Sequence, residues 1–178
     1  MKGFGDQNKL NKHPDKISKT TKPSKQQIYN QAIQFHAKGN ITEAAKYYQY
    51  FINQGFEDYG VFSNYGVILR GLGKLKEAEF CYRKAIKINP DFYKAHFNLG
   101  NVMKDLGKLK EAEFCYLKAI EINASFADAY TNLGNVLRDL GNLHQAEIAF
   151  RKAIKINPNF AMFHSNLGGI LKDLGKLK

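Results

Sequence analysis

The chain has 178 residues, of which 44% are hydrophobic, and it carries 27 Lys and Arg against 16 Asp and Glu. This length allows a sizeable core, and no uninterrupted apolar stretch is long enough to cross a membrane. The net charge of +11 keeps acidic proteins, nucleic acid and anionic surfaces open as partners but selects none of them. No secretory or organelle signal is recognisable at the start, and Cys81 and Cys115 are too few for a disulfide framework, so the predicted compartment is the cytoplasm.

Residues 1–24 form the first predicted segment, a disordered basic tail. They include six lysines and two aspartates, a net charge of +4, and few apolar residues. Such a segment cannot bury enough surface to offset the entropy of ordering. Two roles are open: an anchor for nucleic acid or an acidic protein, or a solvated leader that keeps the protein soluble. The second is favoured, because lysines without arginine bind phosphates and bases weakly.

A 34-residue repeat organises the chain from residue 25 onward. Glycines recur at this interval, and two successive segments share 20 of 34 residues by direct comparison. Position 1 is taken as the first residue of each unit. The repeat array at 25–178 divides into four full units and a partial one: 25–58, 59–92, 93–126, 127–160 and 161–178.

Each unit is predicted to be a pair of helices. In the unit 93–126, Leu99 and Met103 belong to an apolar stripe at helical spacing. Gly107 fits the left-handed conformation that ends a helix, and Leu109 opens the second amphipathic run. Proline just after the second helix stops it and turns the chain into the next unit. This proline is present at Pro90 and Pro158.

Glycine also lies inside the predicted first helices, at position 8. The residues are Gly66, Gly100, Gly134 and Gly168. Each costs about 1 kcal/mol relative to Ala, so a compensating contact is needed. We expect the paired second helix to approach closely, with the alanine at position 20 facing the glycine. These alanines are Ala78, Ala112 and Ala146.

The pattern resembles the tetratricopeptide repeat. That family favours an aromatic residue at position 4, Leu-Gly at 7 and 8, Gly at 15, Ala at 20, an aromatic at 24, Ala at 27 and Pro at 32. The fourth unit matches at all of these positions: Tyr130, Leu133, Gly134, Gly141, Ala146, Phe150, Ala153 and Pro158. The first unit departs at Gln31, Ala32, Phe51 and Phe56, as a terminal capping repeat does, and Ala124 replaces proline in the third. The resemblance implies an all-α fold, a right-handed superhelical solenoid of helix-turn-helix repeats.

An asparagine series is the candidate binding site. Position 6 is asparagine in every unit: Asn30, Asn64, Asn98, Asn132 and Asn166. Because its amide both donates and accepts, a row of asparagines can hold the backbone of an extended peptide. The resemblance implies that position 6 faces the concave surface, and the units are similar to the repeat arm of the O-linked N-acetylglucosamine transferases, where such a ladder engages polypeptides. The alternative is that these residues only solubilise the helices or bond locally.

Further candidates flank the series. Asn101 and Asn135, at position 9, lie one turn away and extend it. Position 12 is basic at Arg70, Lys104, Arg138 and Lys172, and position 13 is acidic at Asp105, Asp139 and Asp173. These charges balance, so we expect a solvated face that favours ligands carrying both signs. Position 5 lacks the lysine that the family's carboxylate clamp needs, which disfavours binding of chaperone tails.

No catalytic motif is present: there is no phosphate-binding glycine loop, paired-carboxylate site, His-Glu metal motif or nucleophile elbow. We therefore predict no enzyme activity, cofactor or metal in this chain, and a scaffold that binds an extended segment of a partner protein. The alternative is the substrate-recognition arm of a larger glycosyltransferase, because the sequence stops within a repeat at Lys178. Nucleic acid is disfavoured and a membrane is excluded as a partner, while association of two copies through the unpaired last helix stays open.

Overall fold

The computed structural model describes residues 22–176, and all regular secondary structure in that range is helical. The prediction of an all-α fold is therefore confirmed for these residues. Nine helices occur between residues 22 and 176: α1 (Lys25–Ala37), α2 (Ile41–Asn53), α3 (Tyr59–Gly71), α4 (Leu75–Ile88), α5 (Tyr93–Asp105), α6 (Leu109–Ile122), α7 (Ala127–Asp139), α8 (Leu143–Ile156) and α9 (Ala161–Asp173). They belong to two compact units, an N-terminal unit (Met1–Phe56) and a C-terminal unit (Glu57–Lys178).

Helix α1 of the N-terminal unit begins with a capping box. The backbone N–H of Gln27 donates to Ser24 Oγ at 3.2 Å, and the backbone N–H of Ser24 donates to Gln27 Oε1 at 2.8 Å. These reciprocal bonds satisfy donors that the first helical turn leaves unpaired. Helix α1 therefore begins at Lys25, directly after its capping residue, and residues 1–21 of the predicted tail lie outside the described residues.

Two of the atypical residues of the first repeat, Phe51 and Phe56, pack together in the N-terminal unit. Phe51 is fully buried, and its ring centroid lies 5.3 Å from that of Phe56 and 6.5 Å from that of Tyr29. Helix α2 ends at Asn53, and Gly55 just beyond it has a φ of 75°, in the left-handed region that favours glycine. An aromatic cluster and a glycine stop thus replace the small residue and the proline of the other repeats.

In the C-terminal unit, the first helices α5 and α7 each pack between two second helices, while α9 contacts α8. Helix α5 contacts α4 and α6, and α7 contacts α6 and α8. The first helices also contact one another, α3 with α5 and α5 with α7. We call the side on which the first helices meet the inner face, and the exposed side of the second helices the outer face.

The turns that follow α4 and α6 contain the same local asparagine bond. Helices α4 and α6 end alike, although one is followed by Pro90 and the other by Ala124. The Oδ1 atom of Asn89 accepts from the backbone N–H of Asp91 at 3.2 Å, and that of Asn123 accepts from Ser125 at 3.1 Å. Because this local bond holds the turn, the missing proline of the third repeat leaves it unchanged.

Three of the four helical glycines meet the paired second helix, but at a different residue from the one expected, while Gly168 on α9 has nothing within 4 Å of an added Cβ. A Cβ atom on Gly100 or Gly134 would lie 2.7 Å from the ring of Tyr116 or Phe150, respectively, and one on Gly66 would lie 2.8 Å from the ring of Tyr82. The aromatic residue at position 24 therefore demands the glycine. The expectation that the alanine at position 20 faces it is corrected, because a ring fills that space.

The histidines at position 4, where the family favours an aromatic residue, contact the preceding turn. The Nε2 atom of His96 lies 2.9 Å from the carbonyl oxygen of Pro90, and that of His164 lies 2.6 Å from the carbonyl oxygen of Pro158. Each ring thus joins the start of a first helix to the preceding turn.

Candidate functional site

Four of the position-6 asparagines lie on the first helices of the C-terminal unit and are half-buried. They are Asn64 on α3, Asn98 on α5, Asn132 on α7 and Asn166 on α9. Among residues 22–176, no hydrogen-bond partner is found for the side-chain amides of Asn64, Asn98 and Asn166. Because a partly desolvated amide without a protein partner is free to donate and accept, these three residues can bind a ligand.

Asn101, by contrast, uses its amide oxygen inside the protein. The residue is 7% exposed, and its Oδ1 atom accepts from the hydroxyl of Tyr116 at 2.8 Å and from Nδ2 of Asn132 at 2.8 Å. These bonds join α5 to its paired helix α6 and to the next first helix, α7. Asn101 therefore holds the amide of Asn132, whose Oδ1 atom accepts no side-chain hydrogen bond among the described residues. The sequence placed Asn101 in the ligand site and gave no role to the Tyr116 hydroxyl.

Asn135 and Asn30 have different surroundings from Asn101. Asn135 is half-buried, and the aromatic residue of its own repeat is Phe150, which has no hydroxyl to donate to it. Asn30 belongs to the N-terminal unit and is exposed, and its Oδ1 atom accepts from Nε2 of Gln26 at 2.8 Å. This bond is of the local kind that the sequence left open as an alternative for the series.

The basic residues at position 12 bridge successive repeats. Arg70 Nε lies 2.7 Å from Asp105 Oδ2, and Arg138 Nε lies 2.9 Å from Asp173 Oδ2. The partner is thus the aspartate of the following repeat, and the hydrogen bond to Asp105 raises the pKa of Arg70. Both pairs are partly exposed, so each contributes at most about 1 kcal/mol.

Lys104 and Asp139 occupy the corresponding places in the middle of the array. No ion pair joins them to each other or to another side chain within residues 22–176. Because the flanking pairs lie where α3 meets α5 and α7 meets α9, the centre of the inner face offers one unpaired charge of each sign.

Both cysteines are buried free thiols on second helices. Burial raises the pKa of Cys81 to about 12 and that of Cys115 to about 11. Burial likewise raises the pKa of Tyr82 and Tyr116 above the ordinary value. Because the thiolate is the reactive form, neither cysteine has the environment of a nucleophile.

We expect both thiols to react with a soluble disulfide reagent far more slowly in the folded than in the unfolded chain. At about pH 8 the raised pKa leaves very little thiolate, and burial blocks access. The stability gained from neutral thiols is fully present below about pH 9 and is lost as pH rises through 11 to 12. Reagent uptake with and without denaturant checks this. Equal rates in the two states would contradict it.

Two further classes of site can be assessed within the described range. No group of three His, Cys, Asp or Glu side chains in residues 22–176 is arranged to hold a metal ion. In the same range, no helix combines the length and the apolar character that a membrane crossing requires.

Solved structures similar to this chain are stacks of helical repeats. MamA from Desulfovibrio magneticus RS-1 is 21% identical with a TM-score of 0.78, over 85% of this chain and 85% of its own. YrrB, described as a TPR protein with an unusual peptide-binding site, is 24% identical with a TM-score of 0.73, over 80% of this chain and 73% of its own. The first TPR of Spaghetti (RPAP3), bound to the HSP90 peptide SRMEEVD, is 25% identical with a TM-score of 0.64, over 66% of this chain and 93% of its own.

Comparison with proteins of curated function gives no significant match. These comparisons do not show a similarity to the repeat arm of the O-linked N-acetylglucosamine transferases, so that finer resemblance stays a prediction. Family models do match directly. The model described as TPR repeat matches residues 66–107 and 100–141, and the model described as Tetratricopeptide repeat matches 127–160. Together they cover residues 66–160, more than half of the chain, which therefore belongs to the tetratricopeptide repeat family.

Proposed function

We propose that this chain is a non-catalytic scaffold that binds an extended polypeptide segment on the inner face of its C-terminal unit. The observation that carries the proposal is the set of unused amides of Asn64, Asn98 and Asn166, one on each of three first helices. An extended backbone presents a donor and an acceptor at every residue, so such a row binds it without requiring a particular side chain. The peptide-binding site described for YrrB and the HSP90 peptide bound to Spaghetti support this use of the fold.

The residues next to the asparagine series indicate which side chains the bound segment has. Asn132 is held by Asn101 and contributes its free amide oxygen, while Asn135 adds a further amide on α7. The unpaired Lys104 and Asp139 favour a segment with an acidic and a basic side chain near its middle. Arg70 and Arg138 act mainly through their ion pairs with the following repeat, which orient neighbouring first helices.

Position 5 argues against recognition of a C-terminal carboxylate by a lysine clamp. In the C-terminal unit this position holds Ser63 and Thr131, both buried, Ser165, which is exposed, and Phe97, which packs against the Tyr116 ring with centroids 5.8 Å apart. None of them supplies a cation. The proposed ligand is therefore an internal extended segment, and the proposed compartment remains the cytoplasm.

The double substitution Asn64→Ala/Asn98→Ala tests the proposal. Peptides are first selected on the wild-type chain from a random-sequence display library. Loss of two amides that each make one or two hydrogen bonds is expected to weaken their binding about 10- to 100-fold. Helical content and melting should change little, because neither amide has a partner among the described residues.

Asn159→Ala is the matched control, since Asn159 is exposed in the turn before α9, away from the inner face. Peptide affinity is measured by fluorescence anisotropy for all three proteins. Equal affinity for the wild type and the double variant would rule out the asparagine series as the binding site.

A further inference from the structure

The outer face of the C-terminal unit carries a row of exposed large apolar side chains that the proposed function does not use. Phe80, Phe114 and Ile148 occupy position 22 of successive repeats and are 56%, 61% and 60% exposed. Leu117, one turn beyond Phe114 on α6, is 47% exposed. We call these four residues the apolar row. Exposed apolar residues set at a fixed interval and bordered by charges are typical of an interaction surface.

The charges that border the apolar row are not balanced. The glutamate before each position-22 residue is paired within its own helix: Arg83 Nη2 lies 2.9 Å from Glu79 Oε1, and Arg151 Nη2 lies 2.8 Å from Glu147 Oε1. On α6, Lys110 Nζ lies 3.1 Å from Glu113 Oε2. Because these glutamates are already paired, the remaining cations determine the net charge next to the apolar row.

Five lysines on the same helices have no ion-pair partner within the described residues. They are Lys76, Lys84 and Lys87 on α4 and Lys152 and Lys155 on α8. Each lies four or seven residues from Phe80 or Ile148, a spacing that puts both side chains on one face of a helix. The Nζ atom of Lys84 lies 5.8 Å from the centroid of the Phe80 ring. Glu111 is the only acidic residue of α4, α6 and α8 without such a partner among the described residues.

We propose that the apolar row is a second docking site, distinct from the inner face, which binds an acidic amphipathic polypeptide segment. Large apolar side chains of the segment pack on Phe80, Phe114, Leu117 and Ile148, and its Asp and Glu side chains pair with the unpaired lysines. Charge complementarity of this kind gives orientation and a fast encounter, while the apolar contacts supply most of the affinity.

Two other occupants fit the observations less well. A second copy of this chain would bring the same lysine excess against itself, and each copy carries a net charge of +11. A flat anionic membrane would attract the unpaired lysines of α4 and α8, but α6 between them has no unpaired lysine among the described residues and carries the unpaired Glu111. A polypeptide segment can place acidic residues opposite α4 and α8 and apolar residues opposite α6.

The test compares peptides selected on the intact chain for their dependence on each face. Phe114→Ser is expected to weaken one class of selected peptides about tenfold, as loss of a central apolar contact does. Members of this class should be rich in Asp, Glu and large apolar residues, lose affinity with added salt, and bind the Asn64→Ala/Asn98→Ala variant normally. Phe80→Ser and Ile148→Ser should weaken the same class.

Leu72→Ser is the matched control, because Leu72 is also 61% exposed but lies in the turn between α3 and α4. Circular dichroism verifies that each variant is folded. The proposal is overturned if no selected peptide responds to the row substitutions, or if the responding peptides are basic or uncharged. It is also overturned if the wild type instead binds phosphatidylserine vesicles, or doubles in mass by light scattering, in a manner that Phe114→Ser abolishes.

Discussion

Gly134→Ala is expected to lower the free energy of unfolding by about 1 to 3 kcal/mol, the usual cost of forcing an extra group into a packed core. The added Cβ would lie 2.7 Å from Cε1 of Phe150, a buried ring that has little room to move. Helix propensity acts in the opposite direction and favours Ala by about 1 kcal/mol, so a net loss requires that the steric contact dominates. Urea unfolding followed by circular dichroism measures the difference.

Gly168→Ala is the internal control for that prediction. Gly168 occupies the same repeat position, but nothing lies within 4 Å of its added Cβ. We therefore expect this substitution to leave stability unchanged or to raise it by up to about 1 kcal/mol. Combining Gly134→Ala with Phe150→Leu should recover part of the loss, because a smaller and more flexible side chain relieves the contact. Equal and small effects of the two alanines would show that the aromatic ring does not demand the glycine.

Asn101→Leu should cost about 1 to 3 kcal/mol of unfolding free energy, whereas Asn98→Ala should be nearly neutral. Replacing Asn101 leaves the buried Tyr116 hydroxyl without its acceptor and frees Nδ2 of Asn132. Asn98, three residues earlier on α5, has no such partner in the described part of the chain. Denaturant unfolding of the two variants separates an internal asparagine from a ligand-facing one.

The rescue experiment sharpens this comparison. Removing both partners of a buried hydrogen bond is often nearly neutral, so Tyr116→Phe should recover stability in the Asn101→Leu protein. The same substitution in the wild type should be destabilising, because the oxygen of Asn101 then loses a donor. If the two substitutions simply add, the hydrogen bond between these residues does not contribute to stability.

The repeat period predicted most of the fold. Glycine recurs at this interval, and in the structure it takes the left-handed backbone conformation just after each first helix. Gly107 was expected there, and its φ is 73°. The period could not separate Asn98 from Asn101, which are the same residue type on the same helix. What distinguishes them is the hydroxyl of Tyr116 on the facing helix, together with Asn132 from the next repeat. Such contacts depend on how the helices pack.

The ion pairs between successive repeats could not be predicted from the sequence either. The balance of basic and acidic residues at positions 12 and 13 was visible in the sequence, but the partner of Arg70 is Asp105, which belongs to the following repeat.

The exposed apolar row on the outer face was missed for a different reason. Its 34-residue spacing is visible at Phe80 and Phe114, yet an apolar residue on an amphipathic helix is ordinarily assigned to the core. Exposure becomes apparent only once the helices are packed.

The most direct test of the central claim is a titration of the isotope-labelled chain with a selected peptide, followed through the side-chain amide signals of asparagine by nuclear magnetic resonance. If the inner face of the C-terminal unit binds an extended segment, the amides of Asn64, Asn98 and Asn166 shift most, and the amide of Asn132 shifts with them. The exposed Asn159 amide stays in place. If every selected peptide shifts signals of the outer helices α4, α6 and α8 and leaves the position-6 amides unmoved, the inner face is not the binding site.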